Sequence, residues 1–294
     1  IKRHVLKPVW RAVCWIWKKF EKVFKKALGF AKKIAVKSKN SLKRRRRIVY
    51  TLNKHSPKKK RGKQKDAKKK GTFALVLKNA KELLKNKVEV NILCVLTKQS
   101  AKKISSIYRF LKKEGFYYQQ YIPCLDPMGE EEGQYPWSLT PKVYAEALKE
   151  LFDLWFEDIQ KGEIVSIREF DNWLSMLKGM PPEACSQTGR CSMQNIVEAN
   201  GDIYPCDFYV LDNCRVANVK DENFRFFQGI LPDMEFFKEG VKRGEACKAC
   251  RWYPLCRGGC RRNYTKENKN YFCEAYQEFF EYSIARWEWL AARL

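Results

Sequence analysis

Eight of the nine cysteines from Cys185 to Cys273, all but Cys214, constrain this chain more than any other feature. They follow the pattern C-x5-C-x14-C, then a gap of forty residues, then C-x2-C-x5-C-x3-C-x12-C. Eight thiolates suffice for two four-cysteine sites. Close spacings let neighbouring sulfurs converge on one centre, and the distant members close each site through the fold. Zinc sites typically repeat a C-x2-C pair, and here only Cys247 and Cys250 form one. The irregular intervals turn the balance from zinc towards iron–sulfur clusters while leaving both open. A disulfide framework fits less well. The N-terminal stretch "VLKPVWRAVCWIWKKF" has no uncharged apolar core or small-residue cleavage site, so the body is expected to be cytoplasmic, with reduced thiols.

Charge divides the chain. Residues 1–70 carry 28 Lys and Arg against Glu21 and Asp66, while the remaining 224 residues hold 31 basic and 31 acidic side chains. Residues 1–70 therefore form a cationic head on an electrically neutral body. Within the head, apolar positions from Trp10 to Ala35 recur at helical spacing among lysines, followed by "KRRRR" and "PKKKRGKQKDAKKKG". Three readings of the head stand open. It could be a solvated or disordered segment, an arm for nucleic acid or anionic lipid, or sequence from a truncated or frame-shifted gene. No apolar run is long enough for a transmembrane helix.

The pattern changes at Gly71. Helices are expected over residues 72–86 and 101–115, with a buried strand over 88–97 and another strand over 116–125, an alternation that indicates a parallel sheet of βαβ units. A long helix over 140–162 takes Thr140 as N-cap and Pro141 at its first position, and a shorter one follows over 167–179. "NIVEANGDIYPC" reads as a hairpin turning at Asn200-Gly201, and a closing helix is expected over about 274–293. Cys94, Trp137, Trp155 and Trp173 read as core; Cys14, Cys124 and Cys214 have no partner at useful spacing; His4 and His55 carry no role.

The cysteine order, together with Gly201 and the stretches "YIPCLDP", "YPCDFYVLD", "CRGGCRR" and "YFCEAYQEFFEY", resembles the anaerobic sulfatase-maturating enzymes from about Gly71 onwards. These are radical S-adenosylmethionine enzymes with a C-terminal SPASM iron–sulfur module. The resemblance implies an α/β fold, with a partial radical SAM (β/α) barrel over 71–180 and a loop-rich SPASM domain with a C-terminal helix over 181–294. It implies two auxiliary [4Fe–4S] clusters, one on Cys185, Cys191, Cys206 and Cys260, the other on Cys247, Cys250, Cys256 and Cys273. Asp207 matches the family's catalytic base, which would take the side-chain proton of a substrate Cys or Ser during its oxidation to formylglycine. Read without the resemblance, Asp207 would simply cap the turn after the hairpin. Leu125 matches a position near the S-adenosylmethionine cavity. The implied partners are a sulfatase polypeptide and a flavodoxin or ferredoxin electron donor.

One expected motif is missing. The family's C-x3-C-x2-C loop, which carries a third [4Fe–4S] cluster and binds S-adenosylmethionine, does not occur in this sequence. The expectation is therefore the C-terminal part of a maturase, inactive alone. Two alternatives are another SPASM peptide-modifying enzyme and a zinc-containing basic nucleic-acid-binding protein; the latter requires the head to be native.

Overall fold

The computed structural model describes residues 71–221, 226–228, 231 and 233–293. All readings of the cationic head, Cys14 and both histidines fall outside that range. The chain parts into two units between Glu89 and Val90. The described part of the first contains α1 (Phe73–Lys85), a two-faced helix that buries Ala80 and leaves Phe73, Leu75, Val76 and Leu83 exposed.

The second unit opens with β1 (Asn91–Leu96), α2 (Lys98–Ala101), α3 (Ile104–Lys113) and β2 (Tyr118–Pro123). The helix expected over 101–115 is α3, and a separate short helix, α2, precedes it. Thr97 and Ser100 form a reciprocal cap, with the Thr97 N–H donating to Ser100 Oγ at 2.7 Å and the Ser100 N–H to Thr97 Oγ1 at 3.2 Å, which starts α2 at Lys98, ahead of the expected helix. Next come α4 (Pro141–Gln160), β3 (Ser166–Ile167) and α5 (Arg168–Leu177). Thr140 caps α4 as expected, its side chain accepting the Val143 N–H, with Pro141 at the first position.

The three strands form a parallel sheet in the order β1-β2-β3, with Asn91 opposite Tyr118 and Gln119 opposite Ile167. This is the alternation that the sequence predicts. One expectation needs correction, because β1 is not buried on both faces. Leu96 is buried and Cys94 packs on the core, but Leu93 and Val95 on the opposite face are 59% and 53% exposed, since no described element covers them.

The core lies where α4 and α5 meet α10 (Cys273–Ala291), the closing helix. Phe152, Trp155, Phe170, Trp173, Phe279 and Trp287 pack ring against ring, with Phe152 4.7 Å from Trp287 and Phe170 stacked on Phe279 at 5.9 Å. The indole N–H of Trp155 donates to the Val165 carbonyl and that of Trp287 to Ser283 Oγ, so neither large ring buries an unpaired donor. Trp155 and Trp173 are core as expected. Trp137 is not, because it lies half-exposed in the loop before α4, stacked on Tyr135 at 4.4 Å. Asp158 ties α4 to α3 by accepting from Tyr108 and Lys112, each at 2.7 Å.

Between α5 and α10 the chain is mostly loop. It contains α6 (Cys185–Thr188), a small antiparallel sheet of β4 (Ile196–Val197), β5 (Asp202–Tyr204) and β6 (Ala217–Asn218), then α7 (Glu235–Glu239), α8 (Glu245–Lys248) and α9 (Tyr253–Cys256). The expected hairpin is β4–β5. It turns at Asn200-Gly201, where Gly201 has φ +92 and a methyl group would meet Val219 at 2.8 Å. Among the described residues, no helix is long and apolar enough to cross a membrane.

Two outcomes test this packing. Phe279 is fully buried among the core rings, so Phe279→Ala should cost about 3–5 kcal/mol in a urea-unfolding measurement. Burial also pushes the Glu169 carboxyl up from 4.5 to about 7. The folded chain then holds a proton that the unfolded chain has released, so stability falls as pH rises from about 4.5 to about 7, by on the order of 3 kcal/mol. Glu169→Gln should flatten that window in urea midpoints taken across it.

Candidate metal centre

The eight predicted thiols sit in or beside short helices and turns. Cys185 opens α6 and Cys191 follows it. Cys206 follows β5 and precedes a 3-10 turn over Asp207–Tyr209; Cys260 precedes another over Arg261–Asn263. Cys247 lies in α8, Cys256 closes α9 and Cys273 opens α10. Backbone N–H groups two residues on donate to the sulfurs of Cys206, Cys256 and Cys260, from Phe208, Gly258 and Arg262 respectively. Gln277 donates to Cys250 Sγ at 3.7 Å.

The electrostatic interactions among these thiols fall into two groups. Cys191 interacts with Cys185, Cys260 with Cys185 and Cys191, and Cys206 with Cys260. Cys256 interacts with Cys273, Cys247 and Cys250, and Cys273 with Cys247 and Cys250. Each of these interactions lies inside one group of four. All the described cysteines are free thiols. Among the described residues, no three His, Cys, Asp or Glu side chains gather closely enough to hold a single metal ion.

Burial dominates the chemistry of these thiols. It pushes Cys206 and Cys256 up to about 12 and Cys260 up to about 11, and raises Cys191 and Cys273 as well. Such thiols become thiolates only beside a compensating positive charge. Arg261 and Arg243 partly offset the burial at Cys191, and Lys269 does so at Cys273. Close fit adds to this, since a methyl group at Gly240 would lie 2.8 Å from Cys191 Sγ.

Asp207 is exposed at the start of its turn, and the Cys206 thiol donates to its Oδ1 at 3.5 Å. Cys206 holds the N-cap position of that turn and Asp207 its first position. Leu125 is half-buried just past the carboxyl end of β2, the end at which parallel α/β sheets take their ligands. Cys94 packs on the core, Cys214 is buried and Cys124 is half-buried beside Leu125.

Three contributors are missed by the sequence reading. Asp126 is buried and accepts from Gly133 N and Ser138 Oγ at 2.7 and 2.6 Å, which shapes the loop that carries Leu125. Arg262 donates to the Asp126 carbonyl at 2.6 Å and so fastens that loop to the turn after Cys260. Arg243 donates to Gly189, Gly240 and Arg257 carbonyls from three separate loops. "IPCLDP" hints at Asp126 through its Asp-Pro pair, and Arg262 stands two residues from a predicted ligand. Nothing local marks Arg243.

No family model matches the chain. The cysteine-type anaerobic sulfatase-maturating enzyme of Clostridium novyi (strain NT) is 42% identical over 234 residues, 78% of this chain and 63% of that protein. Its counterpart in Clostridium perfringens (strain 13 / Type A) is 44% identical over 220 residues, 73% of this chain and 60% of that one. The serine-type enzyme of Bacteroides thetaiotaomicron is 24% identical over 241 residues, covering 72% of this chain and 56% of its own length. Among solved structures, native anSMEcpe with bound AdoMet and Kp18Cys peptide matches with a TM-score of 0.74 at 42% identity, over 78% of this chain and 65% of that one. This chain spans a little under two thirds of the length of these cysteine-type relatives. Its described strands share their α/β fold and form no closed barrel. Over that shared length, this chain belongs to the anaerobic sulfatase-maturating enzyme family.

Proposed function

We propose that this chain is the substrate-facing and electron-handling part of a cysteine-type anaerobic sulfatase maturase. Residues 71–180 supply sheet and helices, and 181–294 form a SPASM module with two [4Fe–4S] clusters. The observation that carries this reading is the division of the thiols into two groups of four, one of them next to Asp207. Cys185, Cys191, Cys206 and Cys260 would hold one cluster; Cys247, Cys250, Cys256 and Cys273 the other. The residues fit such groups. Thiolate sulfur is their usual ligand, the burial of these thiols calls for bound cations, and backbone donors already face three of the sulfurs. The far lower identity to serine-type relatives, 24% against 42–44%, supports a cysteine in the substrate.

The reaction converts a cysteine CH2–SH to a thioaldehyde, which water then hydrolyses to formylglycine. The first step removes a hydrogen atom from the β-carbon, a proton from the thiol and one electron. Clusters bound at the two thiol groups would supply an acceptor for that electron. Asp207 would take the proton. Once Cys206 holds iron as a thiolate it can no longer donate to Asp207, and the exposed carboxylate is left with acceptor capacity only. Leu125, at the carboxyl end of β2, would border the S-adenosylmethionine cavity. No C-x3-C-x2-C spacing occurs in this sequence, so neither thiol group is assigned to cleavage of that cofactor. A flavodoxin or ferredoxin would serve as electron donor, in a reducing, cytoplasmic setting. A second reading keeps the module and changes the peptide substrate. The zinc and nucleic-acid alternative rests on residues 1–70, outside the described range.

Purified without oxygen, the full chain should be brown, absorb near ~400 nm and carry about eight irons. A colourless chain with two zincs would overturn the reading. The Asp207→Asn change, placed at the matching position of an intact family member, should retain its iron and slow turnover of a cysteine peptide by roughly 10²–10⁴-fold. Unchanged turnover would remove Asp207 from its role.

A further inference from the structure

The hydroxyl of Tyr264 is buried and has no hydrogen-bond partner among the described residues. Buried hydroxyls are normally paired, so one left alone calls for an acceptor. Its surroundings indicate where that acceptor lies. The phenol is within electrostatic reach of Cys247 and Cys256, both in the second thiol group. Its ring is fixed by the guanidinium of Arg243, which stands 5.2 Å from the ring centroid. Arg243 is fixed in turn by its bonds to Gly189 O at 2.8 Å, Gly240 O at 3.1 Å and Arg257 O at 3.1 Å. Space is kept open as well. Gly258 has φ +84, and a methyl group there would stand 2.6 Å from the Tyr264 oxygen and run into Arg243.

We propose that Tyr264, held in place by Arg243, is a side-chain hydrogen-bond donor to the metal group carried by Cys247, Cys250, Cys256 and Cys273, in addition to Gln277 at Cys250. The assignment rests on the reading that these four thiols hold a [4Fe–4S] cluster. Sulfur atoms of such a cluster carry more negative charge in the reduced state. A donor aimed at them therefore stabilises reduction and raises the potential. Tyr264 is a positioning residue that tunes this cluster and does not touch substrate. Arg243 also interacts with Cys191 of the first group, so its charge is felt by both groups, whereas the phenol donates to one.

The test uses the full chain, reconstituted anaerobically with iron and sulfide and titrated potentiometrically with EPR detection. Tyr264→Phe removes the oxygen and keeps the ring. It should retain the wild-type iron content and move one of the two cluster potentials downward, leaving the other in place. Arg243→Lys keeps the charge and loses the planar fork that sets the ring, so it should lower the same potential. Both potentials unmoved in Tyr264→Phe would overturn the proposal. So would loss of iron in that variant, which would make the phenol a packing element. A shift in Arg243→Lys alone would assign the effect to the guanidinium and overturn it too. Wild-type chain that takes up no iron would overturn the underlying cluster reading, an outcome distinct from a loaded protein that ignores the loss of the hydroxyl.

Discussion

Cys256 and Cys260 are four positions apart and belong to different thiol groups, and the arrangement of the irregular half of the chain depends on how the backbone passes between them. Arg257, Gly258 and Gly259 all take left-handed conformations, with φ of +48, +84 and +70. Two of the three are glycine, the residue that pays least for such a path. The third is held by its own carbonyl, which accepts from Arg243. Asn270, buried, donates to the Gly258 carbonyl at 3.0 Å and accepts the Phe272 N–H at 2.8 Å, so the connector is fastened to the start of α10. The two groups are thus set relative to each other by short-range geometry and a few polar staples, with little regular structure between them.

That economy depends on a rigid support. The aromatic rings of α4, α5 and α10 make a packed slab, joined by Trp252 and Leu255 from the thiol loops, and α10 carries Cys273 at its first position. The loops are fastened to the slab side at few points. One is Arg262, which reaches from the turn after Cys260 to the loop beyond β2. Through it, the stretch containing Leu125 and the turn containing Cys260 share a single attachment.

Much of the fold was legible because it depends on local pattern. The 3.6-residue spacing marks α4, α5 and α10, Thr140 and Pro141 mark where α4 begins, and Asn200-Gly201 marks the hairpin. Errors arose where a local polar device or the surroundings decided the outcome. The Thr97–Ser100 cap starts a separate short helix inside what reads as a loop, and Trp137 stacks on Tyr135 in a loop although its composition suggests core. Cysteine spacing pointed to two metal groups, yet it named none of the residues that hold them together. Arg243 reaches Gly189 and Arg257, 54 and 14 positions away, and contacts of that span leave no periodicity to read.

The placement of Cys273 carries one more consequence. It opens a nineteen-residue helix, and the unpaired N–H groups at such an end amount to roughly half a positive charge. That field favours thiolate over thiol and offsets part of the penalty that burial imposes on this sulfur. The far end of the same helix holds Trp287 and Leu290, both buried in the core. A single macrodipole therefore spans the distance from the Cys273 sulfur to the core, and a change of charge at that sulfur acts on the same rod that anchors the aromatic slab.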